Sequence, residues 1–220
     1  MLETVDGDHD DASAACDYRQ VYLHRLAFIA LAAAGLWQFG HDWRLRPVHP
    51  PDGLLAPQEP QQSTLAHAPQ IVLGAWTLNP RAEYEITARI LSREDYWLDA
   101  LSDLIPEDLA LGWGSMSDNR ILTSFKITQS ARFYSWRVQS AYPIPRQEII
   151  SHSANTHVIP ADVSVRSQLA RLRVGQIVHL TGMLVDGTRK DGAYIRTSLT
   201  RDDSGAGACE VMLVEHVEIR

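Results

Sequence analysis

The chain has 220 residues, 45% of them hydrophobic and 21% charged, so it can form a core and wholesale disorder is excluded. Its formal charge is -7, the wrong sign for a general nucleic-acid binder. Two cysteines exclude a disulfide framework and a multi-cysteine zinc module.

The acidity is concentrated near the start. Residues 1–70 hold nine acidic and four basic residues. Residues 1–18 carry Glu3, Asp6, Asp8, Asp10, Asp11 and Asp17 with almost no large apolar side chains, which predicts a disordered acidic tail. Asp6, Asp8, His9, Asp10 and Asp11 lack the glycine and closing glutamate of a calcium loop.

Residues 21–40, VYLHRLAFIALAAAGLWQFG, follow. Leu26 to Gly40 contains no charge, and Tyr22 and Trp37 stand near the ends as interfacial aromatics do. A transmembrane helix or signal anchor over residues 19–43 is expected, with Arg25 snorkelling to the interface. A buried core helix and a cleaved signal peptide are the competing readings. Basic residues tie on the two sides, Arg19 and Arg25 against Arg44 and Arg46. The short leading tail and the spacer that follows fit a single-pass bacterial arrangement, with the soluble domain outside the cytoplasm, in the periplasm.

Residues 44–70 hold six of the eleven prolines and read as an extended linker. Residues 71–220 read as one soluble, mainly β domain, a β-rich α+β body. Tyr84, Ile86, Ala88 and Ile90 alternate with polar residues, the period of a half-buried strand. Residues 94–111 read as helix-like, from the spacing of Leu98, Leu101, Leu104 and Ile105, with Pro106 starting a new short turn before Leu109 and Leu111. Strands are expected at Ile121–Ile127, Arg132–Gln139 and near Glu148–His152. Asp162 is placed to cap a helix from about Val163 to Leu172. GQIVHLTGMLV, a DGTRKDG connection and AYIRTSLT predict a hairpin, and CEVMLVEHVEI a last strand. This order resembles an OB-type, partly closed antiparallel barrel with one or two short helices.

Four segments are richer in polar and aromatic residues than packing demands: LGWGSMSD (111–118), QSARFYSWR (129–137), HSANTHVIP (152–160) and TRDDSGAGACE (200–210). Together they resemble a family of uncharacterised bacterial proteins with an amino-terminal membrane segment and one soluble domain. The resemblance covers roughly residues 80–215 and implies no activity.

Among these segments His152, His157, Asp202 and Glu210 are the candidate catalytic residues. His152 and His157, with Asp202, Cys209 or Glu210 as a third ligand, are a candidate metal set, foremost His152, His157 and Asp202, whose histidine and carboxylate donors suit zinc or manganese. Ordinary loop hydrogen bonding is the competing reading. Trp113, Arg132, Tyr134, Trp136, Asn155 and Arg201 are the candidate ligand contacts, with aromatic and basic groups able to stack bases or sugars. Ser153 and Ser204 lie in no nucleophile elbow. Cys209 beside Glu210 reads as a structural cysteine. Two functions follow. One is a membrane-anchored binding or assembly module, held to the bilayer by residues 21–40 and meeting a protein partner rather than nucleic acid. The other is a zinc-dependent hydrolase using the His/Asp cluster.

Overall fold

The computed structural model describes residues 10–205 and 207–220, with the backbone alone at 10–21, 37, 41 and 42. It divides into two units, Met1–Leu45 and Arg46–Arg220. The described part of the first unit is one helix, α1 (Asp10–Arg44). Its middle is rich in alanine and leucine, the strongest helix formers, and Pro47 stands just past its end. The helix takes in residues 10–18 of the expected acidic tail; residues 1–9, with Asp6, Asp8 and His9, lie outside the described residues.

Every described side chain from Tyr22 to Leu36 is exposed, Phe28, Leu31 and Leu36 each by more than two thirds. Among the described residues no helix is long and apolar enough to cross a membrane. The expected spanning helix is therefore not shown by the fold. The apolar run is cut short by Arg25 on one side and by His41 and Asp42 on the other.

The second unit is β-rich, as expected. Its strands are β1 (Gln61–Thr64), β2 (Ile71–Leu73), β3 (Trp76–Asp95), β4 (Glu107–Gly112), β5 (Phe125–Ser130), β6 (Phe133–Val138), β7 (Ser153–Pro160), β8 (Ile177–Arg189), β9 (Tyr194–Ile195) and β10 (Glu210–Ile219). A 3-10 turn, Gly114–Ser117, and three short helices complete it: α2 (Asn119–Leu122), α3 (Arg146–Ser151) and α4 (Val163–Leu169). β3 pairs with both β4 and β8, so the path β3-β4-β7-β10-β8 returns to β3. β5 and β6 form a separate hairpin.

The sheet is mixed rather than purely antiparallel, because β7 and β10 run parallel. The chain leaves β7 through α4, builds β8, and returns as β10 on the other side of β7. A parallel neighbour requires a long crossover of this kind.

Alternation on β3 behaves as its pattern predicts. Ala82, Tyr84, Ile86, Ala88 and Ile90 turn inward onto Leu109, Leu111, Val158, Leu180 and Met212. Asp162 caps α4 by accepting a hydrogen bond from the Val165 amide at 2.8 Å, which aims Val165 and Leu169 into the same core. Trp76, Leu78, Ile159, Val211 and Leu213 pack on the outer face of the sheet. A third cluster, including Leu91, Ala110, Phe125 and Ile149, lies under the β5–β6 hairpin.

Three expectations are corrected. The helix over 94–111 is instead the end of β3, a turn and β4. Every residue of β4 is buried, because the core covers one face and the hairpin layer the other. Such a strand has no period of two to mark it. The strand near Glu148–His152 is the helix α3, entered from Pro145 with Glu148 in its first turn. His152–Pro160, read as a loop, is mostly β7.

The proline-rich stretch from Arg46 onward belongs to the second unit. Val48 donates its amide to Val174 O at 2.8 Å, and Gly114 donates to Ala56 O at 2.8 Å. Ala56 is fully buried, and β1 pairs with β3.

Candidate functional site

Alternation along β7 puts Ser153, Asn155 and His157 on the face that meets the β5–β6 hairpin. Tyr134 donates its hydroxyl to Ser153 Oγ at 3.3 Å. Gln129 Nε2 donates to Asn155 Oδ1 at 2.7 Å, and Asn155 Nδ2 donates to Arg132 O at 3.1 Å. The hairpin is thus clamped to the strand by polar contacts on both of its arms and at its tip.

Ala131 and Arg132 form that tip, with φ of 50° and 66°. Positive φ at two successive residues suits a tight hairpin turn but is costly for residues other than glycine. The Arg132 side chain holds the turn in place. It donates twice to Asp99 at 2.8 Å, to Ile105 O at 3.0 Å and to Asp108 Oδ1 at 3.2 Å. Its guanidinium also stacks 4.1 Å above the Tyr96 ring. The same hydrogen bonds hold the Asp99 carboxyl below its usual range.

Asp108 of β4 is fully buried. It faces His157 in register, and His157 Nδ1 lies 2.8 Å from its Oδ1. Burial works to lower the basicity of this imidazole. The hydrogen bond and charge of Asp108, with a smaller pull from nearby Cys209, outweigh burial and push its pKa up to about 9. Asn155 Nδ2 approaches Cys209 Sγ at 3.7 Å.

A cavity of about 140 Å³ opens beside these groups, lined by Phe133, Tyr134, Ser153, Asn155, Ser204 and Cys209 among others. Three of the four segments singled out in the sequence supply its walls: the hairpin, β7 and the loop before β10.

The other candidates fall into separate groups. Glu210, at the inner end of β10, is buried and paired with Arg201 at 2.7 Å. Burial raises its carboxyl to about 7, against the pull of Arg201. Arg201 also donates to Gln62 and lies 4.9 Å above the Tyr84 ring. Burial, and then the Glu210 charge, raise the Tyr84 hydroxyl.

Trp113 is fully buried and donates to Glu59 Oε2 at 2.8 Å. His152 holds the other oxygen of the same carboxylate at 3.0 Å and Ser115 Oγ at 3.2 Å. Trp136 packs edge-on against Phe125 and Tyr142 and borders the cavity. Asp202 is exposed in the loop before β10.

The structure therefore brings Tyr134, Trp136 and Asn155 to the wall of one cavity, with Arg132 bonded to Asn155 through its carbonyl and to Asp108, the partner of His157, while His152 and His157 hold different carboxylates. Among the described residues no group of three or more His, Cys, Asp or Glu side chains is placed to hold a metal ion. Asp108 was not singled out by the sequence as functional, and Cys209 only as one choice of third metal ligand. The one signal for Asp108 is an acidic pair, Glu107-Asp108, opening an apolar segment; a buried acid needs a partner.

No protein-family model matches the chain, and no curated protein or solved structure matches it.

Proposed function

We propose that the protein is a membrane-tethered binding module whose head is an OB-type barrel holding a small ligand under the β5–β6 hairpin. The strand order supports the barrel type: five strands close on themselves, the third and last run parallel, and a helix lies between the third and fourth. Barrels of this type bind ligands on the face of their second and third strands, between the first and last inter-strand loops. In this chain that face is β4 and β7, flanked by residues 96–106 and 190–209.

The cavity at this place is the observation that carries the reading. Its lining combines aromatic rings with hydroxyl and amide groups, the mixture that small-molecule sites use. A volume near 140 Å³ suits a group about the size of a benzene ring. The acidic balance of the chain favours a small molecule or a protein segment over nucleic acid.

The exposed apolar side chains of α1 supply the tether. A helix that is apolar all round needs cover, and lipid provides it. Leu26 to Gly40 falls short of a full hydrocarbon core of about 30 Å. Snorkelling of Arg25 and local thinning of the bilayer make up the difference. The head then stands outside the cytoplasm, on the arrangement expected for a signal anchor.

Two measurements test this. The full chain floats with phospholipid vesicles, and a double Ile29→Lys, Leu31→Lys variant stays in the soluble fraction; equal partition of the two removes the tether. In ligand-observed NMR, phenol and small aromatic amides bind the full chain, and Ser204→Trp, which fills the cavity mouth, abolishes the signal. Binding that survives Ser204→Trp removes the cavity as the site.

A further inference from the structure

We infer that the outer face of the β5–β6 hairpin binds the phosphate group of a small phosphomonoester, between Lys126 and Arg137. This site is independent of the cavity under the hairpin and of the membrane tether.

The hairpin is a basic island in an acidic chain. Residues 119–147 contain no acid and five bases, Arg120, Lys126, Arg132, Arg137 and Arg146, whereas the whole chain carries -7. Arg120 is paired with Asp118 at 2.6 Å, and Arg132 with Asp99 at 2.8 Å. Among the described residues, Lys126, Arg137 and Arg146 have no acid within ion-pair distance.

Lys126 and Arg137 face each other in register across β5 and β6, and Thr128 faces Ser135 one pair further along the same face. Alternation turns all four to solvent. Like charges directly opposite on a strand pair repel. Neither cation packs in the core or holds a hydrogen bond among the described residues, so the folded chain itself gains nothing from placing them together. An anion from outside relieves the repulsion.

The same residues form a cleft. Lys126, Thr128, Ser135, Trp136 and Arg137 line a space of about 190 Å³. It shares only Trp136 with the cavity beneath the hairpin. The hydroxyls of Thr128 and Ser135 hold no side-chain hydrogen bond among the described residues and are free to donate. Arg146 adds a third cation, 5.9 Å from the Trp136 ring. The lining thus offers two cations and two hydroxyls and contains no acid, a set that takes an oxyanion.

Charge and size select which oxyanion. A phosphate monoester carries about -1.5 to -2 charge at pH 7 and three acceptor oxygens. It matches both cations, with the planar fork of Arg137 for two oxygens and the ammonium of Lys126 for the third. A carboxylate or a sulfate ester carries one charge and leaves one cation uncompensated. An extended polyanion, such as nucleic acid or an anionic membrane, also meets the acidic remainder of the chain. A compact dianion feels chiefly the cleft, because salt screens charges beyond about 10 Å. Trp136 gives the organic part of the ester an apolar wall.

The test follows the 15N-labelled full chain by NMR in non-ionic detergent, with phenyl phosphate and phenyl sulfate as probes. Phenyl phosphate should shift the amides of residues 126–128 and 135–137 saturably, with a dissociation constant of about 1 mM or below, and phenyl sulfate should bind about tenfold more weakly. Lys126→Gln and Arg137→Gln should each weaken phenyl phosphate by about tenfold, the loss of one charge-assisted hydrogen bond. Lys190→Gln, which removes an exposed lysine outside the cleft, should leave the affinity unchanged. Shifts that do not saturate, equal affinity for phenyl sulfate, or the same loss in all three variants overturns the proposal. Thermal unfolding gives a second readout. Phenyl phosphate raises the midpoint of the parent and leaves that of Lys126→Glu in place; a variant that it still stabilises overturns the site. Phosphatidylglycerol vesicles or single-stranded oligo-dT that shift these amides where phenyl phosphate does not also overturn it, and assign the face to a polyanion.

Discussion

His157 Nδ1 stands 2.8 Å from Asp108 Oδ1, and the two residues face each other in register across β7 and β4. This contact joins segments 49 residues apart and sits beneath the hairpin tip that Arg132 holds down. Through Asp108 and Arg132 it links β4 and β7 to the hairpin.

The titration of His157 reports this contact. Burial alone would lower the pKa; Asp108 and Cys209 hold it at about 9. Since the folded value lies above the ordinary one near 6.5, the stabilisation is complete below about pH 6.5 and is lost as pH rises through 9. NMR of the His157 ring should show a midpoint near 9 in the parent and a clearly lower one in Asp108→Asn. Urea unfolding should find a smaller difference between these proteins at pH 9.5 than at pH 6.

Glu210 sets a second pH dependence. Its carboxyl is raised from 4.5 to about 7, chiefly by burial, so the folded chain binds the proton more tightly than the unfolded chain. Its contribution therefore falls as pH rises from 4.5 to 7. Glu210→Gln keeps an acceptor for Arg201 and removes the titration. Thermal unfolding of this variant should show a shallower decline over that window; an unchanged slope would assign the decline to other groups, such as buried Glu107, which shares the same upward shift.

Arg132 should be costly to remove. Arg132→Met deletes its bonds to Asp99, Asp108 and Ile105 O and leaves Asp108 buried with less compensation. Breaking a buried ion pair from one side typically costs about 3–5 kcal/mol. Denaturant unfolding measures that loss. Hydrogen exchange should also show the amides of β5 and β6 opening more readily, because the strained turn has lost what holds it.

Gly182 is tied to its position by the sheet. A Cβ there would collide with the Leu213 carbonyl oxygen of β10, at the strand pair that closes the ring beside the irregularity between Val214 and His216. Neither backbone can yield without breaking the ladder. Gly182→Ala should destabilise the chain by about 1–3 kcal/mol, the cost of overpacking, read as a drop in the thermal midpoint.

Elements with one buried face were legible in the residues alone. Alternation around Tyr84 and Ile86 marks β3, and the Asp162 cap with Val165 and Leu169 marks α4. Each signal is local, because burial on one side writes its period into a few consecutive residues. Elements covered on both sides carried no such period. β4 is buried at every position and passed for a helix, and the polar run at 153–157 passed for a loop because the polar partners of Asn155 and His157 come from other strands. The candidate site was half visible: His157, Asn155, Arg132 and Tyr134 stood out by residue type. Asp108 did not, since it has no partner nearby in the chain. Its meeting with His157 depends on the register of β4 and β7, and that follows from how the whole sheet closes rather than from any stretch of neighbouring residues.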